Sequence, residues 1–532
     1  MSPSSPRRAI RLCTWIAALA VSACSKGDGG TAPVRPASIQ AVSAVIPTAT
    51  VGTALGTSPT FTVADASGNA LGGIAISVVV SGGGGSLVGA PTKTTAGPTS
   101  VGTWTLGTTA GTNTITVTVS GLTPLSVTAT GMPGAPAKVV ATGGDGQTAL
   151  AGALVATPLS AAVQDQYGNG IPNLPVTFAS TAGGGTVTPS LLTTNANGVA
   201  AGAAWRLGNK GGTQAATATA SAGSTSFSAT IQTNFPLDLR FFGPPMSAEA
   251  QLAFTNAANR MRAAIISPVT AFNVQGRDLA TDCGIAGLTG TLTGTTNGVI
   301  IYAAVAPIDG PGKVLAQAGP CSYVRGSSKL PFLGVMEFDA ADIQSYITTG
   351  RFEAVVLHEM NHVLGFGTVW DLKNLLVNPA FTYDSAGNPT ATGSTNPRFM
   401  GASAIANCLA VGGLAGSHCS ASTGVAVEGT GGAGTADGHW RESLFQSELM
   451  TGYVASTPVM PWSVMSIGSF QDLGYTVNLL AADNYGVPSL LTMARLSALD
   501  AASAQNGPYE VLRRPKFEVS NTGKVTAIRG NK

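Results

Sequence analysis

The sequence predicts a multidomain chain: two all-β sandwiches followed by one larger α+β domain. Three observations predict it. Residues 36 to 234 hold two copies of one Thr/Val/Ala-rich segment, the texture changes abruptly after residue 234, and beyond that change two of the four histidines in the chain stand four apart. At 532 residues the chain has room for about three or four domains of roughly 150 residues each. Charged residues are only 10% of it, against a usual value of about 25%. With a net charge of +2 and no Lys/Arg-rich run in the mature part, nothing points to nucleic acid or an acidic membrane surface.

The first element is a targeting segment. Arg7, Arg8 and Arg11 precede an apolar run from Leu12 to Ala23, too short to span a bilayer but of the length of a signal-peptide core. The run ends in Val21-Ser22-Ala23-Cys24, which resembles the lipobox of bacterial lipoproteins, in which the cysteine is lipidated and becomes the first mature residue. That resemblance implies a signal peptide over 1–23, a lipid anchor at Cys24 and a polar tether over 24–35. The expected location is the bacterial cell envelope, at the outer membrane or cell surface, with secretion as the other outcome. Beyond Cys13 and Cys24 four cysteines remain, Cys283, Cys321, Cys408 and Cys419. An even number in an exported chain suggests disulfides, and the sequence-local pairing, Cys283 with Cys321 and Cys408 with Cys419, is preferred among three connectivities.

The repeat comes next. "VADASGNALGGIAISV" from Val63 matches "VQDQYGNGIPNLPVTF" from Val163, and "WTLGTTAGTNTITVT" from Trp104 matches "WRLGNKGGTQAATAT" from Trp205. Each copy alternates with period two and is punctuated by Gly, Asn and Asp, the pattern of short antiparallel strands in a sandwich. Through Asp65-x-x-Gly68-Asn69 and Asp165-x-x-Gly168-Asn169 the copies resemble bacterial Ig-like repeats of invasin and intimin type. They predict one domain over 36–132 and a second over 133–234, serving as a spacer or in cell adhesion.

From residue 235 the texture is mixed. Ser247 to Ile265 carries apolar residues at i, i+3 and i+4 and reads as an amphipathic helix. The segments starting at Gly298 and at Leu333 ("LGVMEFD") read as strands, "DIQSYITTG" as a short helix or turn, and Arg351 to Leu364 as a helix stopped by Gly365. This domain is expected over 235–486. Residues 487–532 are polar and weakly patterned apart from a helical "ARLSALDAASAQ", and read as a C-terminal tail.

Chemistry concentrates in His358-Glu359-Met360-Asn361-His362. Residues four apart share one helix face, so both imidazoles can reach one ion while Glu359 stands beside it without binding. A hydrolytic zinc site takes three protein ligands and a water whose pKa it lowers to about 7, and a nearby carboxylate takes the water's proton and passes it to the leaving amine. His418 and His439 are the histidines left to supply the third ligand. His418 lies in a Gly/Ser/Ala-rich loop and reads as a solvated side chain; His439 lies in the more organised "GTADGHWRESLFQSELMTGY".

Here the chain resembles the leishmanolysin family of zinc metallopeptidases, a branch of the metzincins. That family keeps H-E-x-x-H-x-x-G, inserts a long segment, and resumes with H-W and E-L-M. The matching residues are His358 through Gly365, then His439-Trp440 and Glu448-Leu449-Met450. The resemblance implies a metzincin-type fold, one catalytic Zn2+ held by His358, His362 and His439, Glu359 as general base, and Met450 in the turn beneath the metal, with Met465 the weaker candidate. It also implies a strand before the active helix that pairs with extended substrate, and Leu333 to Asp339 is the candidate. Latency through a propeptide cysteine is not supported, since no cysteine stands between Cys24 and Cys283. The expected activity is an envelope-anchored or secreted zinc metalloendopeptidase acting on proteins or peptides. Its rivals are a surface adhesin whose Ig-like repeats act beside an inactive peptidase domain, and a metal-dependent hydrolase of a non-peptide bond.

Overall fold

Alternation of small apolar and polar residues pleats the repeats into strands with one buried face. Along Gly111–Val119, for example, Ile115, Val117 and Val119 point inward and Thr118 outward. The computed structural model describes residues 34–42, 45–384, 386–454, 459–488 and 509–528. The signal segment, Cys24 and the "ARLSALDAASAQ" stretch lie outside these. The chain forms two compact units, divided between Pro133 and Gly134. In the first, a sheet of Thr48–Thr50, Leu125–Met132, Gly111–Val119 and Ile76–Gly82 accompanies one of Ser38–Ala41, Thr60–Ala64 and Thr99–Ser100, around a core containing Phe61, Trp104 and Ile115. The second unit begins with the other sandwich, which buries Trp205 as the first buries Trp104.

The remainder of that unit is built on a five-stranded sheet. Its elements in chain order are β1 (Leu237–Phe241), α1 (Ala248–Ala264), β2 (Val299–Ala306), β3 (Val314–Pro320), β4 (Leu333–Asp339), α2 (Phe352–Val363), α3 (Ala402–Ala410), α4 (Val464–Leu473) and β5 (Tyr509–Leu512). The order across the sheet is β1-β2-β4-β3-β5. The strands β1, β2 and β4 are mutually parallel, β3 runs antiparallel to β4, and β5 parallel to β3. Ser247 caps α1, its hydroxyl accepting the Ala250 N–H at 3.2 Å. Asn256 of α1 donates to Glu353 at the start of α2, tying the two helices together.

Two expectations are corrected. Leu333–Asp339 is not the strand beside the cleft: β4 lies between β2 and β3, and every one of its residues is buried. It is covered on both faces, so that even Glu337 and Asp339 are buried, and β3 and then β5 stand outside it. The tail, too, is not separate from the domain. Residues 509–512 are β5 of the same sheet, and Phe517–Val519 pairs with Tyr323–Arg325. The disulfides Cys283–Cys321 and Cys408–Cys419 are both formed.

Candidate metal centre

The helix α2 carries His358 and His362 one turn apart and ends at Val363, with Leu364 as its cap, after which Gly365 takes a φ of 114°. The chain then leaves on a long excursion, residues 368–437, that holds α3, a small four-stranded sheet and the Cys408–Cys419 disulfide. It returns where it left. A Cβ on Gly367 would lie 2.2 Å from the Gly438 carbonyl oxygen, so the two backbones touch and His439 is delivered beside the helix. Aromatic packing seals the junction: Trp440 meets Phe366 at 5.1 Å and Trp370 at 5.2 Å between ring centres, and Phe399 packs on Trp370 at 4.6 Å. Asp437, at a φ of 65°, accepts the Ala380 and Phe381 N–H groups at 2.8 Å each and pins the excursion to the ligand loop.

The three imidazoles converge. Nε2 of His358 lies 3.0 Å from that of His362 and 3.1 Å from that of His439, and the last two are 3.0 Å apart. Each Nδ1 faces a backbone carbonyl: Leu449 at 2.6 Å from His358, Phe366 at 2.9 Å from His362, Thr435 at 2.8 Å from His439. A carbonyl only accepts, so each Nδ1–H donates outward and each Nε2 turns its lone pair to the common centre. Three lone pairs aimed at one point repel unless a cation stands there, and outward-bonded Nδ1 atoms are the second-shell pattern of histidine metal sites. A triangle of this size is also what three bonds of about 2.0–2.1 Å from a single zinc ion subtend. The donor set therefore fits a divalent metal of the zinc kind.

Glu359 lies beside the cluster, 2% exposed. Burial, then the charge of a second carboxylate, Glu510, pushes its carboxyl well above the ordinary range. Glu510 moves the other way. Burial would raise it, but His439, His358 and His362 outweigh that and hold it well below. For His358 burial opposes the charge, yet Glu510 raises the ring to about 9, whereas burial keeps His362 well below its usual value. A cleft opens onto this centre between His358, Glu359, Glu510 and the apolar wall of Val355, Leu449, Val454 and Met460.

Met450 is buried in a tight turn in which the Thr451 N–H donates to the Glu448 carbonyl at 3.2 Å, one residue after the Leu449 that orients His358. Met465 lies in α4. The other residues of the E-L-M segment explain its form. Glu448 accepts from the Met450 N–H at 2.5 Å and from the Ser463 and Ser466 hydroxyls at 2.6 Å each, and Ser466 in turn accepts the Trp440 indole N–H at 2.8 Å. Trp440 and Glu448 are thus joined through one serine. His418 is corrected: it is buried, 1% exposed, packed on Phe445 at 5.6 Å and bonded to Ser417, and it stands outside the cluster. Glu510 was missed by sequence reasoning, because nothing in a polar tail 148 residues beyond His362 signals that a strand returns it to the helix.

An HExxH helix with a third histidine delivered from a distant loop is the arrangement found in metal-dependent hydrolase centres. Residues 289–486 match the leishmanolysin family, peptidase family M8, and so carry the resemblance to metallopeptidases. A leishmanolysin homolog of Crithidia fasciculata is 32% identical over 190 residues, 34% of this chain and 25% of that one, so the chain spans about a quarter of that relative's length. Solved structures to which the chain is similar include the Yersinia pseudotuberculosis adhesin InvE, at 19% identity over 36% of this chain and 58% of that one with a TM-score of 0.19. Invasin, a bacterial integrin-binding protein, follows at 23% identity over 37% and 39% with a TM-score of 0.20. The sandwich assignment rests on the strand pairing above.

Proposed function

We propose that this protein is a zinc metalloendopeptidase in which His358, His362 and His439 hold the ion and Glu359 is the general base. The observation that carries the reading is the convergence of three Nε2 atoms on one point beside the buried carboxyl of Glu359. When bound, zinc supplies a Lewis acid that lowers the pKa of water and polarises a carbonyl. The remaining work falls to the chain. Glu359 takes the proton of the attacking water and gives it to the leaving amine nitrogen. Leu449, Phe366 and Thr435 hold the imidazoles so that no ligand must reorient. The wall formed by Val355, Val454 and Met460 excludes water and favours an apolar side chain of an extended peptide. Export and lipidation at Cys24 are part of the proposal, supported by the signal-like run and the lipobox resemblance.

The test is zinc content and casein cleavage by the full mature chain, wild type beside Glu359→Gln and His439→Ala, assayed also with the Glu510 variants described below. One zinc per chain in wild type and Glu359→Gln, cleavage abolished by Glu359→Gln, and metal lost or weakened in His439→Ala are the expected results. Full zinc and full cleavage in His439→Ala would overturn the ligand assignment. For the anchor, membrane fractionation of wild type against Cys24→Ala should move the protein from the membrane to the soluble fraction.

A further inference from the structure

The metal centre contains a fourth protein group. One Glu510 carboxylate oxygen contacts His439 Nε2, and the other lies 3.2 Å from His358 Nε2 and 3.6 Å from that of His362. Glu510 is buried and belongs with the three histidines to one cluster of potential ligand atoms within 4.8 Å of one another. We propose that Glu510 is a ligand of the metal in a latent form of the protein, and that the strand bearing it occupies the groove an extended peptide must enter. The C-terminal segment is then a built-in, displaceable inhibitor. This inference rests on the peptidase reading above and deepens it.

Coordination chemistry supplies the first argument. A hydrolytic zinc keeps one position open for water beside three protein ligands, whereas four protein ligands close the shell. A carboxylate among the three Nε2 atoms takes that open position. The groove supplies the second. The strand β5 pairs with the outward side of β3, Val314 opposite Tyr509 and Ala316 opposite Glu510, with the Tyr509 N–H on the Lys313 carbonyl at 2.7 Å and the Arg513 N–H on the Ala318 carbonyl at 2.8 Å. A peptide added to the sheet at this place would need the same β3 groups, so tail and substrate exclude each other. Tyr509 and Glu510 also line the cleft that holds Glu359.

The strand is fitted on its other side too. Leu512 packs its side chain over Gly438, the residue before His439, a Cβ there lying 2.2 Å from Leu512 Cδ1. Beyond β5 the segment is clasped. The Arg513 guanidinium donates to the Cys283 carbonyl, and that of Arg514 to the Gly367 carbonyl at 2.6 Å while lying 4.8 Å from the centre of the Tyr383 ring. Phe517–Val519 stays paired with Tyr323–Arg325 and buries Val519, so the displacement asked for is of residues 509–514 alone, whose arginine contacts go to two backbone carbonyls and one ring.

The test uses full-length protein with Co2+ in place of zinc, and acetohydroxamate, which binds through the metal's open position, as the probe. Wild type is compared with Glu510→Gln, which keeps size, and with Arg514→Ala, which loosens the clasp and leaves Glu510 in place. A tail seated in most molecules lowers apparent affinity by the fraction of open sites, so Glu510→Gln should bind acetohydroxamate about tenfold or more tighter than wild type and Arg514→Ala by a smaller factor. A synthetic peptide of residues 507–516 should reverse the gain in Arg514→Ala, and the same peptide with Ala for Glu should not. Equal acetohydroxamate affinity in all three proteins, or loss of cobalt from Glu510→Gln without any gain in affinity, overturns the proposal. Casein cleavage separates the two readings. Tighter acetohydroxamate binding with no cleavage by any form leaves the plug and removes the peptidase; cleavage by wild type at the rate of Glu510→Gln removes the plug and leaves the peptidase.

Discussion

Single carboxylates organise this chain at several turns that take no part in the metal centre. Asp165 is fully buried at the turn of the second repeat, accepting the Tyr167 and Asn169 N–H groups on one oxygen, and the Gly134 N–H and the Asn169 amide on the other. Asp65 and Asp384 make the same turn with Asn69 and Asn388. For Asp165 burial would raise the pKa, but those donors outweigh it and hold the carboxyl below its usual value. A depressed folded-state pKa means stability that is present above the unfolded value of about 3.9 and lost as pH falls through the folded one. Asp165→Asn puts an amide N–H where an acceptor is needed, and should cost about 1–3 kcal/mol at pH 7. Denaturant melts of both proteins should show the gap closing below about pH 4. Near the site the corresponding residue is Glu448. Glu448→Gln weakens the turn whose Leu449 carbonyl orients His358, and should lower metal affinity about 10–100-fold in a chelator competition, with the fold retained.

Among the elements, those with local causes could be read directly. The apolar spacing and Ser247 forecast α1, and His358 with His362 forecast the active helix, because period and caps are local properties. The place of β3 between β4 and β5 could not be read, since a strand's place in a sheet depends on partners distant in sequence, and nothing within Leu333–Asp339 says that β4 is an inner strand covered on both faces. Nor could Glu510 be read from its neighbourhood. The delivery of His439 was legible only through motif resemblance; its physical cause is the contact of Gly367 with Gly438. That contact makes a prediction. Gly367→Ala forces a Cβ to within 2.2 Å of a carbonyl oxygen, at a φ of 68°, and should cost about 1–3 kcal/mol or more in stability. Metal content should fall together with Tm; an unchanged Tm and a full zinc complement would show that the two ends of the excursion need not touch.

At the scale of the whole molecule, the two repeats with the same sequence signature do different work. The described residues up to Pro133 form a compact unit with its own core around Phe61 and Trp104. The second sandwich belongs to the unit that holds the metal centre, and one continuous apolar core runs from Ala151 and Trp205 through Phe254 and Met261 to Leu473 and Ala481. Polar contacts reinforce it. The Asn478 amide donates to the Ala151 carbonyl at 2.8 Å, and Asp483 takes both the Asn209 amide and the Arg260 guanidinium, the latter at 2.8 Å. Phe235, at the junction, packs edge-on against Tyr475 at 5.9 Å. A sandwich that only held the metal-centre domain away from a membrane would need none of this, so its removal should cost more than reach. A chain starting at Gly134 is expected to keep the zinc content, melting transition and casein cleavage of the full mature protein. A chain starting at Pro236 uncovers the apolar face of α1 and the segment 478–483, and should melt at least several degrees lower, at roughly 2–4 °C per kcal/mol for a domain of this size, or aggregate. Calorimetry of the two truncations decides the matter: equal transitions would reduce the second sandwich to a spacer, whereas a lowered or lost transition in the shorter chain makes it a structural part of the domain that holds the metal centre.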